Sequence, residues 1–104
     1  MKPVLYGYQT ARAGTPAFEI DRGREALAAF AQREGFALGE IFVERDANHP
    51  SSALTALISA ARRSGVAAVA VPTDEDLGRL PRVRRLMRTR LEREAGVQVL
   101  VVTH

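Results

Sequence analysis

The chain has no cysteine and no tryptophan, and Lys2 is its single lysine. Without cysteine there can be no disulfide, thiolate metal site or cysteine nucleophile. Aromatic residues make up only 6%, and none falls in the arginine-rich segment 79–93. Stacking of single-stranded bases on that segment is therefore disfavoured. No apolar run approaches the roughly 20 residues that a membrane helix needs. The opening Met1-Lys2-Pro3-Val4-Leu5-Tyr6 carries no signal-peptide pattern, so the expected location is the cytoplasm. A glycine-rich phosphate loop is also missing. Arg12-Ala13-Gly14-Thr15-Pro16 holds one glycine, and its proline offers no N–H to an anion. No serine precedes Ser51, so Thr10 and Thr15 are the only aliphatic hydroxyls of the first half.

What is present suits one domain over residues 1–104 with a modest core. Hydrophobic residues make up 46% and charged residues 26%, ordinary values for a globular protein. The net charge is only +3, yet the isoelectric point is about 10.2, because the basic groups are almost all arginine. A GC-rich genome, which favours Arg and Ala codons, accounts for that bias; a selected basic surface is the other reading.

Val4 to Tyr8 reads as a buried strand, short, apolar and aromatic. Tyr6 and Tyr8 flank Gly7 and are expected to face opposite layers or a cleft mouth. Gln9 to Pro16 is a loop. A helix follows from about Phe18 or Asp21 to Glu34, with Ile20, Leu27, Phe30 and Ala31 on one face. Gly35 is its natural terminator, while Gly23 predicts an irregular first part. Ile41-Phe42-Val43 begins a second strand that Glu44-Arg45-Asp46 carries to a polar end. After a loop through His49-Pro50, Ser51 or Ser52 caps a helix over Ala53 to Arg63, whose stripe is Leu54, Leu57, Ile58 and Ala61. Val66 to Val71 is a third strand, apolar on both faces as a doubly covered strand should be. Thr73 or Asp74 opens a short helical turn. Pro81 is well placed to start a longer helix to Glu94, with Val83, Leu86, Met87 and Leu91 as its expected buried stripe. Val97 to Val102 is the fourth strand. This alternation predicts an α/β fold: a three-layer α-β-α sandwich around a four-stranded, mainly parallel sheet.

Leu5-Tyr6-Gly7-Tyr8, Glu25 to Phe36, Glu40-Ile41-Phe42-Val43 and Asp76-Leu77-Gly78-Arg79, in this order and spacing, resemble the catalytic domain of serine recombinases, the resolvase/invertase family. Leu5-Tyr6-Gly7-Tyr8 resembles the family's first strand. Residues Glu25 to Phe36 resemble its first helix closely, and Glu40-Ile41-Phe42-Val43 its second strand. Asp76-Leu77-Gly78-Arg79, after the run Val69-Ala70-Val71-Pro72, resembles the family's Asp-Arg-Leu-Gly-Arg. The likeness covers nearly the whole chain and implies a resolvase-like fold.

The family's reaction needs a serine just after the first strand, which attacks a DNA phosphate and becomes covalently linked to it. Several arginines must crowd that phosphate, because charge develops on its oxygens in the transition state. Here the family's Arg-Val-Ser falls on Thr10-Ala11-Arg12, in a register loose by about two residues. The family's Asp-Arg becomes Glu75-Asp76, an anion in place of a cation. Its Arg-Pro before the second helix becomes Ser51-Ser52, and only Arg79 persists. The chain also ends after the fourth strand, without the family's long dimerisation helix or a helix-turn-helix. The resemblance thus implies a degenerate, non-enzymatic domain with no catalytic residue and no cofactor.

Two other groups attract attention. Glu44, Asp46, His49, Asp74, Glu75 and Asp76 could gather at the carboxyl ends of the strands, where ligands of open α/β sheets bind. They would suit Mg²⁺ or Mn²⁺ and phosphodiester cleavage; the alternative is that Asp74 to Asp76 simply cap a helix and favour its positive N-terminus, and no established metal motif is matched. Arg79, Arg82, Arg85, Arg88 and Arg93, with Arg84 and Arg90, crowd one segment. Positions 82, 85 and 93 fall on one side, and 84 and 88 on another. These arginines are the candidate surface for a protein partner, a second copy of the chain or DNA; the alternative is a solvated face with Glu92 and Glu94 as ion-pair partners. The expected function is regulatory binding through protein contacts or self-association, with DNA binding and a metal-dependent phosphodiesterase as alternatives. No small-molecule substrate is evident.

Overall fold

The computed structural model describes residues 1–45 and 52–103. Four strands, β1 (Val4–Thr10), β2 (Ala37–Glu44), β3 (Ala68–Thr73) and β4 (Gln98–Thr103), form one sheet in the order β2-β1-β3-β4. Every neighbouring pair is parallel. Helix α1 (Ala17–Glu34) covers one face. Helix α2 (Ser52–Ser64) covers the other, together with a π turn, Leu91–Ala95, that continues helix α3 (Pro81–Arg90). The expected three-layer α-β-α sandwich is the observed one.

Strand alternation builds two unequal cores. Ala68 and Ala70 of β3 face α1 with Leu5, Leu27 and Ala31. Val69 and Val71 face α2 with Leu54, Leu57, Ile58 and Leu91. These first four side chains of β3 are fully buried, as a central parallel strand requires. Tyr6 and Tyr8 do not face opposite layers. Two residues apart on a strand, they share a face, and both pack on the α2 side. There Tyr6 meets Phe42 edge-on at 5.5 Å.

β2 starts at Ala37, earlier than its apolar run suggests. Its register against β1 slips by one residue between Leu5↔Leu38 and Gly7↔Ile41. This bulge lets Leu38 and Ile41, three residues apart, both reach the α1 core.

α1 stops as its sequence requires. Gly35 adopts a left-handed φ of 80°, and the next amide, that of Phe36, donates to the Ala31 carbonyl at 2.8 Å. The helix runs through Gly23 without the expected irregularity. A side chain at Gly23 would collide with the Gln9 amide, which is buried and donates from Nε2 to the Ile20 carbonyl at 3.3 Å. Glycine stands there because β1 sends a polar side chain under the helix.

α3 departs most from its sequence pattern. Pro81 is its first residue, as expected. Of the expected stripe, only Leu91 is fully buried. Val83 and Leu86 are exposed, and Met87 is half-buried. α3 itself buries no side chain completely; its π-turn continuation makes the firm contact with α2 and β4.

Candidate functional site at the strand ends and the arginine helix

The carboxyl ends of β1 and β3 meet in one carboxylate. Asp76 sits in a 3₁₀ turn (Asp74–Asp76) directly after β3. Its Oδ2 accepts from the Thr73 amide at 3.0 Å and from Thr73 Oγ1 at 2.9 Å. Its Oδ1 accepts from the Thr10 amide at 2.9 Å and from Thr10 Oγ1 at 3.2 Å. The pair Thr73 and Asp76 is thus a capping box that also fastens the end of β1. The hydroxyl at the end of the first strand is that of Thr10, and a carboxylate holds it.

Glu44 ends β2 and is 3% exposed. Its Oε1 accepts from Ser52 Oγ at 3.0 Å, and its Oε2 accepts from the Ala53 amide at 3.0 Å and the Leu54 amide at 3.4 Å. The carboxylate therefore satisfies the orphan amides of α2 and sits at the positive end of its dipole. Ser52 is not the expected cap: it is the first residue of α2 and its hydroxyl donates to Glu44, which itself accepts from the Ala53 and Leu54 amides; Ser51 lies outside the described residues.

Between these groups and α3 lies a cavity of about 190 Å³. Tyr8, Ala11, Leu77, Val83 and Met87 give it apolar walls, with Arg12, Glu75, Asp76 and Arg79 among its polar lining. Burial first, then the charges of Glu44 and Asp76, push the Tyr8 phenol far above its ordinary pKa, with Arg90 opposing. Tyr8 therefore stays a neutral hydroxyl under all ordinary conditions. A more polar cavity of about 230 Å³ lies beyond Thr10 and Asp76, walled by Gln9, Thr15, Glu19 and Pro72.

The acidic group expected at this edge is dispersed into structural tasks. Glu44 caps α2, Asp76 fastens two strands, and Asp74 and Glu75 lie in the turn. Asp46 and His49 lie outside the described residues. Among the described residues, no three acidic, histidine or cysteine side chains are placed to hold a metal ion.

The five candidate arginines separate into four places. Arg79 is exposed and lines the 190 Å³ cavity. Arg82 and Arg85 are exposed on the outer side of α3, where they share a shallow groove with Leu86 and Thr89. Arg93 is exposed on the π turn. Arg88 is half-buried, and its Nη1 donates to the Val99 carbonyl of edge strand β4 at 3.1 Å. Arg84 likewise turns inward, donating to the Gly78 carbonyl at 2.7 Å and the Arg79 carbonyl at 3.2 Å. The division of 82, 85 and 93 from 84 and 88 was legible from helical spacing; the structural work of Arg84 and Arg88 was not. Of the two expected acidic partners, Glu94 is taken by Arg90 at 3.0 Å. Arg82, Arg85 and Arg93 form no ion pair among the described residues.

What sequence reasoning missed is the apolar surface beside these charges. Leu86 is 69% exposed, Leu80 63% and Val83 40%. The only signal for it was the strongly basic character of the helix, which makes burial of its full circumference costly.

Known structures share this architecture. The C-terminal catalytic domain of ISC1926 TnpA, an IS607-like serine recombinase, superposes with a TM-score of 0.77 at 15% identity, covering 95% of this chain and 67% of that one. The N-terminal catalytic domain of TP901-1 integrase gives 0.76 at 15% identity, covering 95% and 76%. No protein-family model and no curated protein matches the sequence. The chain has the fold of a serine recombinase catalytic domain. Among the described residues, no helix is long and apolar enough to cross a membrane.

Proposed function

We propose that this chain is a recombinase-like domain without recombinase chemistry, which works in the cytoplasm as a regulatory binding module through protein contacts or self-association. The observation that carries this reading is the Thr10–Asp76–Thr73 lock. Where the family's reaction would need a free nucleophile amid cations, a secondary hydroxyl donates to a carboxylate. A phosphate brought to Thr10 would meet the charges of Asp76 and Glu75, and negative charge developing on it would be opposed rather than stabilised. Arg12 and Arg79 are the guanidinium groups that line the adjacent cavity, and they share it with Glu44, Glu75 and Asp76, too little positive charge to replace the family's cluster of arginines. A fold kept without its reaction still offers surface, and α3 supplies one that its own domain leaves uncovered.

The test is incubation of purified protein with supercoiled plasmid, with and without Mg²⁺. Unchanged supercoiled DNA and no covalent protein–DNA adduct are expected. Nicking or relaxation that disappears in Thr10→Val or Arg79→Ala would overturn the reading.

A further inference from the structure

We infer that the outer face of α3 is a docking surface for an acidic amphipathic helix of another protein. The inference rests on the non-enzymatic reading above and names the partner of that surface. Three observations carry it. First, α3 completely buries none of its own side chains, although a helix packed on a domain normally buries one stripe. Second, Leu86 stands 69% exposed in the groove formed with Arg82, Arg85 and Thr89. Third, Arg82, Arg85 and Arg93 are exposed without ion-pair partners among the described residues, whereas Arg84, Arg88 and Arg90 have structural bonds.

Positions 82, 85, 86 and 89 stand at i, i+3, i+4 and i+7 of α3, so the apolar Leu86 is flanked by two guanidinium groups on one face. A partner helix with leucines at i, i+4 and i+7 and glutamates on either side complements this face in both shape and charge. Arginine suits the task, because its stem packs against apolar surface while its planar head pairs with carboxylates.

The same features decide against the other occupants. A second copy docking through this face would set Arg82, Arg85 and Arg93 against themselves, with like charges brought together in a desolvating contact. DNA phosphates would satisfy the arginines, but they would desolvate Leu86 with nothing apolar to receive it.

The probe is a fluorescein-labelled helical peptide with that leucine spacing and flanking glutamates, titrated by anisotropy against the full chain. Saturable binding is expected that weakens as salt is raised, because the flanking pairs are screened. Leu86→Glu should reduce affinity at least about tenfold, as loss of a central apolar anchor does, with an unchanged melting temperature showing that the fold is intact. The double variant Arg82→Glu/Arg85→Glu should lose the glutamate peptide and gain a peptide with lysines in place of the glutamates.

Equal affinity for a peptide with its leucines changed to serine would overturn the inference, reducing the face to a charge attractor. Tight duplex DNA binding, abolished by Arg82→Glu/Arg85→Glu and unaffected by the uncharged Leu86→Ser, would assign it to nucleic acid instead. Dimerisation abolished by Leu86→Glu would assign it to a second copy. None of these results touches plasmid nicking, so failure of the docking inference and failure of the non-enzymatic reading remain distinguishable.

Discussion

Asp76 holds two strand ends together with one carboxylate, each oxygen accepting from a backbone amide and a threonine hydroxyl. Replacing it with alanine leaves the Thr10 and Thr73 amides without partners. Asp76→Ala is expected to lower stability by about 2 kcal/mol, the usual range for breaking charge-assisted hydrogen bonds, seen as a lower urea midpoint at unchanged m. Tyr8 gives a pH signature. Its folded pKa is raised above the ordinary 10.0, so above that value the unfolded chain loses the phenol proton while the folded chain keeps it. Unfolding then releases a proton, and stability falls as pH rises from about 10. Below pH 10 the contribution is fully present. Tyr8→Phe should flatten this alkaline slope in urea titrations.

Both residues were visible as candidates in the sequence, one as part of an acidic turn and one as a strand aromatic. Neither role was legible. Thr10 and Asp76 are 66 residues apart, and spacing rules describe only neighbours on the same element. Glu44 read as the polar end of a strand, yet its partners belong to α2.

At the scale of elements, α1 and α3 carry similar apolar periodicity and meet different fates. The α1 stripe delivers Leu27 and Ala31 to the core, with Phe30 packed against it. α3 starts abruptly at Pro81, is pinned through Arg84 and Arg88 to backbone carbonyls, and only at its π turn delivers Leu91 to the core. Leu91→Ala should therefore cost about 2–5 kcal/mol, as large-to-small changes in a packed core do. Leu86→Gln, in the same nominal stripe, should change stability by less than about 0.5 kcal/mol. Thermal unfolding of the two variants compares them directly; equal losses would mean that α3 is packed along its whole length.

At the scale of the whole molecule, the sheet has two edges, β2 and β4. Arg88 covers one carbonyl of β4, a charged side chain on an edge that discourages pairing with another chain. Together with the like charges on the α3 face, this favours contact with a different protein over self-assembly. The melting temperature should stay constant over about a hundredfold range of protein concentration, because folding that is not linked to association does not follow mass action. A midpoint that climbs with concentration would show linked self-association.

The sequence by itself determined the alternation of strands and helices, the stop of α1 at Gly35 and the start of α3 at Pro81. Those features follow from side-chain periodicity and from backbone preferences that act within a few residues. It also determined that no serine precedes Ser51, a property of the chain before any folding. Tertiary structure alone decided that Thr10 is bound by Asp76, that Glu44 caps α2, that Gly23 makes room for Gln9 and that Leu86 faces outward. Each of these depends on segments distant in the chain arriving at one place. Their energies come from hydrogen bonds and buried surface that exist only after the sheet has assembled.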